Sequence, residues 1–139
     1  MAVRLSTGLR AYLQDSGLKT AFDGGTLKIY SGSQPAAADD APSGTLLASI
    51  TLPGTAFGAS TNGVMAKAGT WQDASADATG TAGWFRVAHS GDSGGSSTTD
   101  RRIDGAVAAS GSDLNLNTVA IVAGQQVTIT TFTVTQPAS

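Results

Sequence analysis

From residue 26 onward, apolar and polar positions alternate in short runs, and glycine, proline or asparagine punctuates them. Residues 26–30 put Leu27 and Ile29 on one side, as expected of a strand, whose successive side chains point to opposite faces. Residues 45–52 predict a second strand, with Leu46, Ala48 and Ile50 sharing a face, Leu47 and Leu52 fitting less regularly, and Pro53-Gly54 as its end. Asn62-Gly63 reads as a tight turn before residues 64–67. Residues 81–89 set Trp84, Arg86 and Ala88 opposite Phe85 and Val87, and further strands are predicted over 102–108, 113–117 and 119–122. In the last run Val127 and Ile129 share one phase and Phe132 and Val134 the other, so a β-bulge is expected at Thr130-Thr131. The polar, glycine-bearing stretches 31–44 and 90–99 read as surface loops, and residues 72–80 as a mobile loop.

Helical spacing occurs only near the N-terminus. Ser6 or Thr7 can cap a helix, Leu9, Tyr12 and Leu13 fall on one face, and Gly17 is a natural stop. Leu18 and Phe22 could add a turn before Gly24-Gly25. So short a helix is not stable alone and needs a sheet or a neighbouring subunit to lie against.

About eight short strands at turn-punctuated spacing predict an all-β chain, an antiparallel β-sandwich with a short N-terminal helix. A jelly roll is the leading architecture, and an immunoglobulin-like or other Greek-key sandwich is the alternative. Residues 1–25 form the arm and helix and residues 26–139 the sandwich, one domain in all. Composition agrees: with 18 glycines and only 13% charged residues, the chain suits neither a helical bundle nor a highly charged disordered tail.

Charge and residue types narrow the function. A net charge of −2 argues against a nucleic-acid binder, which needs a clustered basic surface. The one basic pair, Arg101-Arg102, is flanked by Asp100 and Asp104 and reads as a strand end with local ion pairs. No apolar run approaches the roughly 20 residues of a membrane helix. The first residues show no signal-peptide pattern, so synthesis in the cytoplasm of the producing cell is expected. There is no cysteine and no glutamate, His89 is the only histidine, and the aspartates follow no calcium-loop or zinc-ligand spacing. No metal or other cofactor is therefore expected. Gly91-Asp92-Ser93-Gly94-Gly95 matches the letters around a serine-protease nucleophile, but that chemistry needs a histidine base held by a buried aspartate. With the one histidine four residues before Ser93, the segment reads as a loop, and His89 as a strand-end residue. Trp84 reads as core, whereas Trp71, beside a Gly/Ala-rich loop, is a candidate contact residue.

Several runs carry a resemblance when taken together. They are residues 2–10 (AVRLSTGLR), 27–35 (LKIYSGSQP), 80–86 (GTAGWFR), 102–105 (RIDG) and 112–117 (SDLNLN). On these the chain resembles small proteins encoded among the virion genes of tailed bacteriophages, and in particular jelly-roll cement or decoration proteins of capsids. The resemblance runs from Met1 to about Pro137. It implies a non-enzymatic protein on the capsid surface that bridges and stabilises major capsid protein subunits. Its partners would be that protein and copies of itself, as a dimer or trimer, with no direct contact to nucleic acid or membrane. The candidate interface residues are Arg4, Leu5, Leu9, Arg10, Leu13 and Trp71. Two alternatives stand beside this reading: a tail or baseplate component, and a carbohydrate-binding module with Trp71 and Tyr30 or Tyr12 side by side on an exposed face.

Overall fold

The computed structural model describes residues 4–112 and 114–135, and the side chains of all of these except residues 10–12. The chain opens with a helical arm: α1 (Thr7–Leu13), a π-helical turn (Gln14–Leu18) and a last short turn, α2 (Lys19–Ala21). Ser6 caps it, its hydroxyl accepting the Leu9 amide at 3.2 Å. Gly17 does not stop the helix. It lies within the π turn, where the Lys19 amide reaches back to the Gln14 carbonyl.

Nine strands follow among the described residues: β1 (Thr26–Ser31), β2 (Leu46–Thr51), β3 (Val64–Ala66), β4 (Gln72–Asp73), β5 (Gly80–Ala88), β6 (Arg102–Ala108), β7 (Leu114–Leu116), β8 (Ala120–Ile121) and β9 (Val127–Thr135). The predicted start of the seventh, Asp113, lies outside the described residues. The order β2-β1-β5-β6-β7-β9-β3 makes one curled sheet, with β4 on β9 and β8 on β5. All pairs are antiparallel except β6 with β7, where Val107 faces Leu114 in a short parallel ladder. This is an all-β fold with one short N-terminal helix, consistent with the expected sandwich and jelly-roll class.

Three irregularities follow from the sequence. Asn62 and Gly63 both take positive φ (52° and 77°), so Thr61 and Val64 exchange both backbone hydrogen bonds across a two-residue hairpin. On β9, Leu116 pairs with Ile129 and Asn115 with Thr131, which leaves Thr130 as the extra residue of the expected bulge. On β2 a second bulge falls at Leu47, so Leu47 and Ala48 are both buried and Leu46 is half-buried.

Curling brings the two halves of the sheet face to face around aromatic rings. Phe85 of β5 meets Phe132 of β9 edge-on at 5.2 Å between centroids, and Phe57 and Trp71 pack beside Phe132. Phe22, at the end of the arm, joins this core against Phe57. The 72–80 connection is tied down: Ala76 donates to the Gln125 carbonyl, Asp77 to the Leu47 carbonyl, and Asp73 accepts the Ser49 amide.

Candidate functional site

Two surfaces merit attention, the helical arm and the outer face of β1, β5 and β6. The arm is held from its second half. Gln14 is fully buried; its amide nitrogen donates to the Val134 carbonyl at 3.2 Å and its oxygen accepts the Ser60 hydroxyl. Asp15 accepts the Ser60 amide, and Leu18, Ala21 and Phe22 pack on the core. The first half is different. Leu9 and Leu13, four residues apart and so neighbours on one helical face, are each 43% exposed. Arg4 is exposed, Leu5 half-buried, and the Arg10 and Tyr12 side chains lie outside the described set. Of the predicted apolar face, Leu9 and Leu13 can be placed, and the rest of the chain covers them only in part.

Trp71 is not a surface contact. It is 0% exposed, wedged between Phe57 and Phe132, with its indole N–H donating to the Ala68 carbonyl at 3.1 Å. The flanking Gly/Ala composition suggested a loose loop, yet the Trp71 carbonyl accepts the Ile129 amide and Gln72-Asp73 pair with β9. Trp84 is core-like as expected, at 1% exposure, but on the opposite face from Phe85, stacked on Tyr30 at 4.6 Å. With Trp71 inside and Tyr30 only 7% exposed, the paired aromatic platform of a glycan-binding face is not formed by these two residues.

The outer face of β5 and β6 carries a buried charge network in place of the solvated ion pairs expected there. Arg86 binds Asp104 through two 2.7 Å hydrogen bonds, donates to the Asp40 carbonyl at 2.9 Å, and lies 5.4 Å over the Trp84 ring. Arg102, its side chain 1% exposed, clamps Asp92 at 2.6 and 3.0 Å and also reaches Asp100 and the carbonyls of Ala38 and Gly95. These bonds pin the 31–44 and 89–101 loops to the face. They also set ionisation: the Arg102 guanidinium holds Asp92 below the ordinary carboxylate value, and Asp92 in turn raises Arg102. Asp100 is held well below the usual range, chiefly by hydrogen bonds from Ser93 and His89.

The protease-like letters resolve into this network. The Ser93 hydroxyl donates to Asp100 at 2.6 Å, and the His89 Nε2 lies 2.9 Å from the other oxygen of the same carboxylate. The His89 Nδ1 accepts the Gly91 amide, which assigns the ring proton to Nε2. Serine and histidine thus both hang on the aspartate, and no imidazole lone pair faces the hydroxyl. A nucleophile–base pair needs that lone pair. His89, Asp92 and Asp100 also place potential ligand atoms within 4.8 Å of one another, but Arg102 already sits on both carboxylates. The oxygens of both carboxylates already accept N–H or O–H donors, from Arg102, Gly94, Ser93 and His89, so a cation would have to displace these bonds.

Compared with protein-family models, with curated proteins and with solved structures, the chain matches none.

Proposed function

We propose that this chain is a non-enzymatic structural protein of a tailed-phage virion, a capsid cement that sits on the outer surface and bridges subunits of the major capsid protein. The observation that carries the reading is the exposed apolar face of α1. Among the described residues four large apolar side chains are exposed, Leu9, Leu13, Val64 and Val122, and of these Leu9 and Leu13 share one helical face beside Arg4 and Leu5. Full burial of a leucine contributes about 1.5–3 kcal/mol, so covering the remaining part of each gives on the order of 1 kcal/mol. One arm is then a weak ligand, and a symmetric shell engaging many arms through an oligomer raises the avidity. A protein that binds the closed lattice better than free subunits stabilises that lattice by mass action. The resemblance of residues 2–10, 27–35 and 80–86 to virion proteins supports the same reading.

The test is co-sedimentation of the tagged full chain with expanded capsids, with free capsid subunits and with tails. The proposal expects saturable binding to expanded capsids alone, lost in Leu9→Glu/Leu13→Glu and after deletion of residues 1–13. Both variants should keep the sandwich folded, since the contacts of Gln14, Leu18 and Phe22 remain. Binding to tails alone would replace the cement reading with the tail or baseplate one. Binding to neither particle would overturn both.

A further inference from the structure

On the outer face of β1, Thr26, Lys28 and Tyr30 alternate with the inward Leu27 and Ile29. Register places Lys28 directly opposite Arg86 on β5. Two cations facing each other across a ladder repel, and one of them here is neutralised by Asp104. Lys28 is not: among the described residues its ammonium has no hydrogen-bond or ion-pair partner. Beside it, the ring of Tyr30 is buried, and among the described residues its hydroxyl, which reaches solvent, has no hydrogen-bond partner. Both side chains line a half-open cavity of about 130 Å³ walled by Pro42, Arg86, His89 and Asp92. Burial raises the Tyr30 phenol above its ordinary value, so at neutral pH the hydroxyl stays a donor.

The nearby acceptors are committed elsewhere. Asp92 is held by Arg102 and by the Gly94 amide at 2.7 Å. The Asp40 carboxylate accepts the Ala37 amide, and its carbonyl takes Arg86. The cavity therefore offers an ammonium and a phenol that have no partner among the described residues, next to a guanidinium, and its one carboxylate, Asp92, already accepts N–H bonds from Arg102 and Gly94. At about 30 Å³ per water, its volume is that of roughly four waters, or one group of acetate size.

We propose that this cavity is an oxyanion-binding site that takes a single carboxylate, with Lys28 supplying the charge and Tyr30 the hydrogen bond. The carboxylate can be a free small acid or an aspartate side chain carried in by a bound protein. Neither source depends on the capsid reading above.

The test is titration of the isotope-labelled full chain followed by amide NMR, with sodium acetate, with N-acetyl-aspartate methylamide, and with sodium chloride at matched ionic strength. Saturable shifts confined to the amides around Lys28, Tyr30 and residues 89–94 are expected for at least one carboxylate and not for chloride. Acetate binding alone identifies a free acid as the ligand; equal or tighter binding of the blocked aspartate identifies a protein side chain. Lys28→Met and Tyr30→Phe should each weaken the site about tenfold or more, the usual effect of losing a charge-assisted or buried hydrogen bond. Lys28→Met decides the matter if Tyr30→Phe disturbs the stack on Trp84. No saturable shift with either carboxylate, or equal affinity in Lys28→Met, overturns the proposal.

Discussion

Removing the Asp104 carboxylate should destabilise this protein more than almost any other single polar change. Arg86 and Asp104 are each 5% exposed and share two 2.7 Å hydrogen bonds. In Asp104→Ala the guanidinium keeps only the Asp40 carbonyl and the Trp84 ring, and its charge stays buried. Breaking one side of such a pair costs about 3–5 kcal/mol, whereas replacing both partners with apolar groups is often close to neutral. The unfolding entropy is about 2.1 cal/mol/K per residue near 60 °C, or roughly 0.29 kcal/mol/K for this chain. The single variant should therefore lose about 10–17 °C in Tm. Urea unfolding followed by tryptophan fluorescence would measure Asp104→Ala, Arg86→Met and the double variant as a cycle. The expected result is two costly single changes and a double variant well above their sum in stability, with a coupling of several kcal/mol on the scale of a buried pair. Singles costing under about 1 kcal/mol, or a double variant that is merely additive, would show that the pair is solvated and the reasoning wrong.

Three further outcomes follow from the same geometry. Asp92 and Asp100 have folded pKa values below their unfolded ones, so their contribution is complete above about pH 5 and lost as pH falls through the folded values. Asp92→Asn/Asp100→Asn should lower the urea midpoint at pH 7 and flatten its decline toward pH 2; a decline parallel to that of the unaltered chain would refute this. Trp71→Ala should cost about 3–5 kcal/mol as a core truncation, read by thermal unfolding, and a loss near zero would return Trp71 to the surface. Gln14→Leu keeps the volume but strips the hydrogen bonds to Val134 and Ser60, so amide exchange over residues 7–13 should quicken while that of β1 and β5 holds. Uniform quickening across the sheet would mean the arm is part of the global fold.

The sandwich was legible because its signals are local. Alternation in β1, the Asn62-Gly63 hairpin and the bulge near Thr130 each depend on a few neighbouring residues, and all three recur in the structure. What escaped was set by residues far apart in sequence. Trp71 is covered by Phe57 and Phe132, and nothing in its own neighbourhood announces that. The burial of the Arg102 ion pairs, expected only as a strand end with local pairs, escaped for the same reason. An Arg86 between Trp84 and Ala88 reads as solvent-facing until the 31–44 and 89–101 loops are seen to close over it. A clue was present: a tryptophan and an alanine sharing a face with an arginine suit a covered surface better than a wet one. Gly17 failed as a stop because helix propensity is a weak prior beside the buried anchors Gln14 and Phe22 on either side of it.

The contrast between the arm and the sandwich bears on what each is for. If the arm served only stability, its apolar face would be expected to lie on the sheet, since the core already takes Phe22 and Leu18. Instead Gln14, Leu18 and Phe22 pack inward, while Leu9 and Leu13 on α1 stay 43% exposed. A π turn costs regular hydrogen-bond geometry and is retained most often where it re-aims side chains. Here one spans Gln14–Leu18, and the polar clamp of Gln14 on Val134 and Ser60 fixes the base of α1. An arm held rigidly at its base gives up less conformational entropy on binding than a free tail, so a small apolar contact per copy becomes useful. That economy suits a partner presented in many identical copies better than a single high-affinity receptor.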